Sequence, residues 1–188
     1  MKDMKRFLII LSALFAAAAG ASAQNAALST NIMGYANLGT LNMEASYAIA
    51  QHWSLNAGLK YNPFTFRFSG MDNDVQARQR EVSLGARFWP WHVYSGWWVA
   101  GKAQYQEYNM GGYKTAETSE GNRYGGGLTA GYSHMLGRHF NVEAGVGGWA
   151  GMDRYVRYSC PTCGRIVDEG NRFFLLLNDI LLSVTYVF

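Results

Sequence analysis

The chain has 188 residues, of which 15% are charged and 15% aromatic, with 22 glycines and only 3 prolines; charges lie well below the roughly 25% of ordinary soluble domains. Without Lys2, Lys5, Arg6 and Asp3, the 16 basic and 13 acidic residues fall to 13 and 12, a balance that gives no support to a nucleic-acid partner. A mean hydropathy of −0.12 argues against a helical membrane bundle but suits strands whose apolar and polar residues alternate.

Residues 1–23 read as a signal peptide. Lys2, Lys5 and Arg6 form its positive start, residues 7–19 a predominantly apolar run, and Ala21-Ser22-Ala23 a small-x-small cleavage site, which leaves 24–188 as the mature domain. The apolar run is shorter than the about 20 residues of a spanning helix. No later stretch is long and apolar enough to be one.

Eight alternating runs follow. Residues 28–37 are the first, with Leu28, Thr30 and Ile32 on one face and Ser29 and Asn31 on the other. Residues 41–49 set Leu41, Met43, Ala45 and Tyr47 against Asn42, Glu44 and Ser46. Residues 53–66 set Trp53, Leu55, Leu59 and Tyr61 against Ser54, Asn56 and Lys60. A polar loop is expected over 67–79. Residues 80–89 then carry Val82, Leu84 and Phe88 opposite Glu81, Ser83 and Arg87. An aromatic turn, 90–96, leads to residues 97–108, with Lys102, Gln104 and Gln106 on the polar face. A second loop is expected over 109–122. Residues 123–135 and 140–151 are the sixth and seventh runs, joined by a tight turn, and the seventh carries Glu143. A third loop is expected over 152–171.

The closing run, 172–188, has a greasy even face from Phe174 to Phe188 and a partly polar odd face with Asp179, Ser183 and Thr185. Val184, Tyr186 and the terminal Phe188 resemble the carboxy-terminal signal that the barrel insertion machinery recognises. Short links alternate with long ones, and the strand count is even. These features predict an all-β fold, an eight-stranded antiparallel up-and-down transmembrane β-barrel of the cell outer membrane, bounded by outer-membrane lipid. Its closure is required because lipid cannot satisfy an open sheet edge.

In a soluble barrel the apolar face would be the inner one. Glu44, Lys60, Glu81, Arg87, Lys102, Glu143 and Asp179 cannot line a dry core without large cost. Facing inward they form a lumen ion-pair network, and eight strands leave an interior that side chains just fill. Trp53, Tyr61, Phe88, Trp91, Trp97, Tyr105, Phe140 and Tyr186 fall near strand ends, as interfacial girdles do.

No catalytic constellation is visible. Ser133 and His134 are adjacent and so point to opposite faces of a strand, and His52, His92 and His139 lie in or beside short turns. The one compact chemical motif is Cys160-Pro161-Thr162-Cys163-Gly164. Its two thiols suit a small-loop disulfide, the default in an oxidising envelope. A metal half-site on Cys160 and Cys163 and a pair of free thiols are the alternatives. A structural zinc site needs four ligands, and no second CxxC exists. No cofactor is expected.

Four stretches carry a family resemblance: Arg87-Phe88-Trp89; residues 105–112, YQEYNMGG; residues 136–144, LGRHFNVEA; and residues 158–164, YSCPTCG. With them, residues 27–188 resemble an uncharacterised domain-of-unknown-function family of small Bacteroidota outer-membrane proteins, often encoded beside fimbrillin-type adhesin genes. The resemblance implies an envelope protein, accessory to surface adhesin or fimbrial proteins, and carries no catalytic residues. The expected role is structural or interactive, through the outside loops. A small-ligand or passage barrel is the alternative, and a membrane-embedded hydrolase the more distant one.

Overall fold

The computed structural model describes residues 25–67, 74–112, 115–160 and 164–188. The expected signal peptide, Cys163 and residues 68–73 of the first expected loop lie outside them, as do the side chains of Asn178 and Asp179. The elements are β1 (Ala26–Asn31), α1 (Ile32–Ala36), β2 (Leu41–Ala50), β3 (Trp53–Asn62), β4 (Thr65–Phe66), β5 (Val75–Phe88), β6 (Gly96–Gly111), β7 (Thr118–Met135), β8 (Phe140–Tyr158) and β9 (Ile166–Val187). Each long strand pairs antiparallel with its neighbours in the chain, β1 pairs with β9, and β3 pairs with β5. The result is an all-β, antiparallel, up-and-down sheet closed into a ring of eight strands. The short β4 adds two residues against β5.

Closure is staggered. Pairing followed around the ring from Thr185 runs through Ser29, Glu44, Gly58, Ser83, Gln104, Gly125 and Gly151 and returns to β9 at Phe174. The displacement along β9, 185 minus 174, is 11 residues. Such a shear follows from strand tilt, which lets a twisted sheet close on itself.

The expected loops are shorter than their composition suggests. β5 begins at Val75, β6 and β7 take in most of 109–122, and β8 and β9 run to Tyr158 and from Ile166. Polar and glycine-rich residues have weak strand preference alone, but here they are held by pairing with neighbouring strands, Glu120 with Asn109 and Val156 on both sides and Asp168 with Arg157 on one. The first run also differs. It stops as a strand at Asn31, where the Asn31 side chain accepts from Met33 N at 3.1 Å and caps α1.

In β9 the expected greasy face breaks. A bulge near residue 178 shifts the pairing from Gly147–Asp179 to Gly148–Leu177. One inserted residue inverts the alternation. Ile180, Leu182 and Val184 are exposed on the outer face, but upstream the outer face carries Phe173, Leu175 and Leu177, while Phe174 is buried inside.

The ring's walls are unequal. β6 to β9 have 16 to 22 residues, whereas β2 and β3 have 10 and β1 has 6. The short turns, the start of β1 and the end of β9 gather at one end, called here the lower end. The tall wall rises at the other.

Candidate functional site: the filled interior and its upper mouth

The polarity of the ring is reversed relative to a soluble protein. Ser54, Glu81, Arg87, Gln104, Gln106, Thr129, Glu143 and Asp153 are buried. Leu55, Leu84, Val99, Val146 and Ile180 are exposed, as are Leu128 at 70% and Leu175 at 75%. The outer apolar surface has two borders. Toward the lower end lie Trp53, Phe88, Trp97, Tyr132 and Phe140, with Trp53 packed on Phe88 and Trp97 on Tyr132. Toward the upper end the outward, mutually paired row Tyr61, Arg80, Glu107, Asn122, Arg154, Asn171 is mostly polar.

The lower end is closed by a floor. Residues 89–96 fold beneath the ring. Val93 N donates to Gln51 O at 3.1 Å, and Trp89 Nε1 donates to Ser54 Oγ at 3.1 Å. Trp89, Val93, Tyr94 and Trp98 cluster with Ala27, Ala100 and Val187. Tyr94 takes a left-handed φ of 67°, unusual for a residue with a side chain. Its carbonyl is held there by Ser133 Oγ at 3.2 Å and Asn141 Nδ2 at 2.6 Å. Trp98 fits because its neighbours are small. A Cβ added to Gly131 would lie 2.6 Å from Trp98 Cζ2.

Above the floor sits a buried ion triad. Arg87 Nη1 donates to Glu143 Oε2 at 2.8 Å, Arg87 Nη2 donates to Glu44, and Asn56 Nδ2 donates to Glu44 Oε1 at 2.9 Å. The Arg87 guanidinium also lies 4.2 Å from the centroid of Trp98. Higher still, Lys60 Nζ meets Glu81 Oε1 at 3.0 Å, and Gln104 Nε2 donates to the same carboxylate at 2.9 Å. Of the seven residues expected to form one network, the described contacts join Glu44, Arg87 and Glu143 in one group and Lys60 with Glu81 in a second. Lys102 lines the same small cavities as Glu44 and Arg87, and the Asp179 backbone pairs with Gly147 of β8.

A third group lies near the upper mouth and was hidden in the sequence. Asp153, fully buried, accepts from Tyr108 Oη at 2.9 Å and from Arg172 Nη2 at 2.8 Å, with Arg123 Nε at 3.4 Å. The Arg123 guanidinium lies 3.9 Å from the Tyr108 ring centroid. Asp153 falls within the third expected loop, 152–171, and the structure instead places it on β8. Continuing the alternation from Glu143 through 145, 147, 149 and 151 would have placed it inward. Tyr108→Phe removes a hydrogen bond to a buried charge and is expected to cost roughly 1.5–3 kcal/mol, measurable by denaturant unfolding in detergent.

The mouth itself is a cavity of about 890 Å³, bordered by Asn62, Gln79, Tyr108, Gly121, Tyr155 and Asn171 among others. Outside the strands, the exposed pair Arg67 and Asp74 meets at 2.7 Å. The Arg67 hydrogen bond holds the Asp74 carboxyl below its ordinary range. That contact is present at neutral pH and is lost as pH falls through the lowered value. Because both groups are exposed, Arg67→Ala is expected to leave the unfolding midpoint unchanged.

Val184 is exposed on the outer face, and the rings of Tyr186 and Phe188 meet at 4.9 Å. Ser133 is buried and His134 is exposed. Cys160 is disulfide-bonded. Among the described residues no group of three His, Cys, Asp or Glu side chains is placed to hold a metal.

A ring of eight antiparallel strands with a polar, charge-paired interior and an apolar outer face defines the structural class. The chain belongs to the family described as protein of unknown function (DUF3575), whose model matches residues 7–188. A comparison with curated proteins finds no match.

Proposed function

We propose that the protein is a transmembrane β-barrel of an outer membrane, with a filled, non-conducting lumen and an outside surface that engages a partner. The observation that carries this is the reversed polarity, because paired charges inside and exposed Leu, Val and Ile outside are stable together only where the outer solvent is lipid. The floor of Trp89, Tyr94 and Trp98 and the Arg87 triad favour a plug over a pore. The tall wall of β6 to β9 and the mouth beside it form the surface presented outside, where a surface adhesin or fimbrial protein would engage it. Residues 1–23 serve as the export signal, and Val184, Tyr186 and Phe188 are what the insertion machinery reads.

The test is the detergent-extracted protein run boiled and unboiled, followed by planar-bilayer recording. A band in the outer-membrane fraction that shifts on boiling, with silent bilayers, is the expected result. A soluble protein with no heat shift overturns the membrane assignment. Steady conductance overturns the plug and favours a passage barrel.

A further inference from the structure

The ring is closed at its lower end but not along its whole height. β1 pairs only with Ser183–Val187 of β9, although β9 extends upstream to Ile166. Above that point no described strand pairs with β9 on its β1 side. The Asn31 side chain continues the ladder. Asn31 Nδ2 donates to Ile180 O at 3.0 Å, and Asn31 Oδ1 accepts from Leu182 N at 3.1 Å. Asn31 is itself clamped by Asn42, whose Nδ2 donates to Asn31 O at 2.9 Å and whose Oδ1 accepts from Asn31 N at 2.6 Å. There the chain turns away into α1.

Behind this seam lies a cavity of about 420 Å³, within the range of small-ligand sites, about 300–1,000 Å³. Its inner wall is the lumen, where Lys60, Gln79, Glu81 and Thr40 stand. Its outer lip is Met33 on α1 with Leu177 and Ile180 on β9. These three are exposed on the outside of the ring. One space therefore joins hydrogen-bonding groups of the interior to the apolar outer face.

We propose that this seam is a lateral port that takes a single-chain amphiphile of the fatty-acid class. Its chain lies between Met33, Leu177 and Ile180, and its head reaches Gln79, Thr40 and the Lys60–Glu81 pair. The inference rests on the membrane placement proposed above. Three observations select this occupant. An unpaired strand edge at membrane depth is tolerated only where protein covers it or it borders a wet cavity, and the cavity behind β9 meets that condition. Lys60 pairs with Glu81 through Oε1, while the buried Glu81 Oε2 has no hydrogen-bond partner among the described residues, so the site suits a small head that donates a hydrogen bond, as a protonated carboxylic acid does, rather than a multiply charged one. An added strand on the β9 edge would leave the polar inner wall unfilled.

The experiment uses the full mature protein in phosphatidylcholine nanodiscs, after a heat-shift gel has shown the ring to be folded. A diazirine-bearing palmitate is photolysed, and adducts are mapped by mass spectrometry. Adducts are expected on Met33, Leu177 and Ile180, at least fivefold reduced by excess palmitate. Ala36, on the lip of the cavity, is changed to tryptophan (Ala36→Trp) to narrow the port, and an equal reduction is expected. Uniform, non-competable labelling of Leu84, Leu128 and Leu175 in folded protein overturns the port and leaves the membrane placement standing. Two copies per disc with the β9 edge protected from label gives the seam to a second chain and also overturns it. Failure of the heat shift overturns both readings together. If Ala36→Trp does not fold, palmitate competition on the unaltered protein decides alone.

Discussion

Arg87→Ala is expected to destabilise the ring by about 3–5 kcal/mol, because removing one member of a buried ion group leaves the others uncompensated. Arg87 is buried, and its two carboxylate partners come from opposite directions, Glu44 from β2 and Glu143 from β8. It therefore ties walls that are not neighbours in the sheet. Glu143 is only 2% exposed, so water cannot replace the lost guanidinium. Arg87→Ala also removes the cation above the Trp98 ring, a contact worth about 0.5–2 kcal/mol. Denaturant unfolding in detergent, followed by the heat-shift gel, measures the loss. Combining Arg87→Met with Glu44→Gln and Glu143→Gln restores charge balance and is expected to recover a large part of it. A triple variant as unstable as Arg87→Ala would show that shape at this position, not charge, sets the cost.

Trp98→Ala is expected to cost a similar amount, about 3–5 kcal/mol, through the cavity it leaves. Trp98 is almost wholly buried, and Trp89 lies beside it at 6.2 Å between ring centroids. The indole nitrogen of Trp98 has no hydrogen-bond partner among the described residues. Trp98→Phe therefore loses volume but no hydrogen bond, and its cost is expected to be the smaller of the two. Gly131→Leu acts on the same contact from the other side, since its Cβ meets both Trp98 and Ala144 O at 2.6 Å. It is expected to unfold the floor rather than enlarge it. The functional readout is electrical. Trp89→Ala with Trp98→Ala removes two large side chains of the floor, and current in planar bilayers is expected where the unaltered protein is silent. Continued silence from a folded double variant would place the seal higher, at the Arg87 triad.

Alternation in residues 41–62 and 80–88 is strong enough to assign inner and outer faces residue by residue, because in each of those strands the polar side chains face the interior of the ring and the large apolar ones its outside. Glu44, Lys60, Glu81, Arg87 and Glu143 follow from that period alone. Which acid meets which base does not, since Arg87 and Glu143 are 56 residues apart and meet only when the stagger of the ring is set. The same limit hid Asp153. It falls in the expected loop 152–171, whereas its partners Arg123 and Arg172 are the first residues of the sixth and closing runs, on β7 and β9.

Local signals failed where one residue changed the phase. The bulge near residue 178 moves Phe174 inside and Phe173 outside, and an uninterrupted period of two through 172–188 cannot represent it. Asn31 behaves similarly. In the sequence it is one more polar position in a strand. In the structure it caps α1, binds β9 and ends the closure of the ring, because its side chain can imitate a backbone amide at 3.0 Å from Ile180 O.

By itself the sequence determined the all-β character, the eight alternating runs and the inward placement of the charges, since period, composition and turn spacing are local properties of the chain. The tertiary structure alone decided which acid meets which base, the floor beneath them and the seam beside β9. Each of these depends on strand length and register, which pairing partners impose on one another across the closed ring.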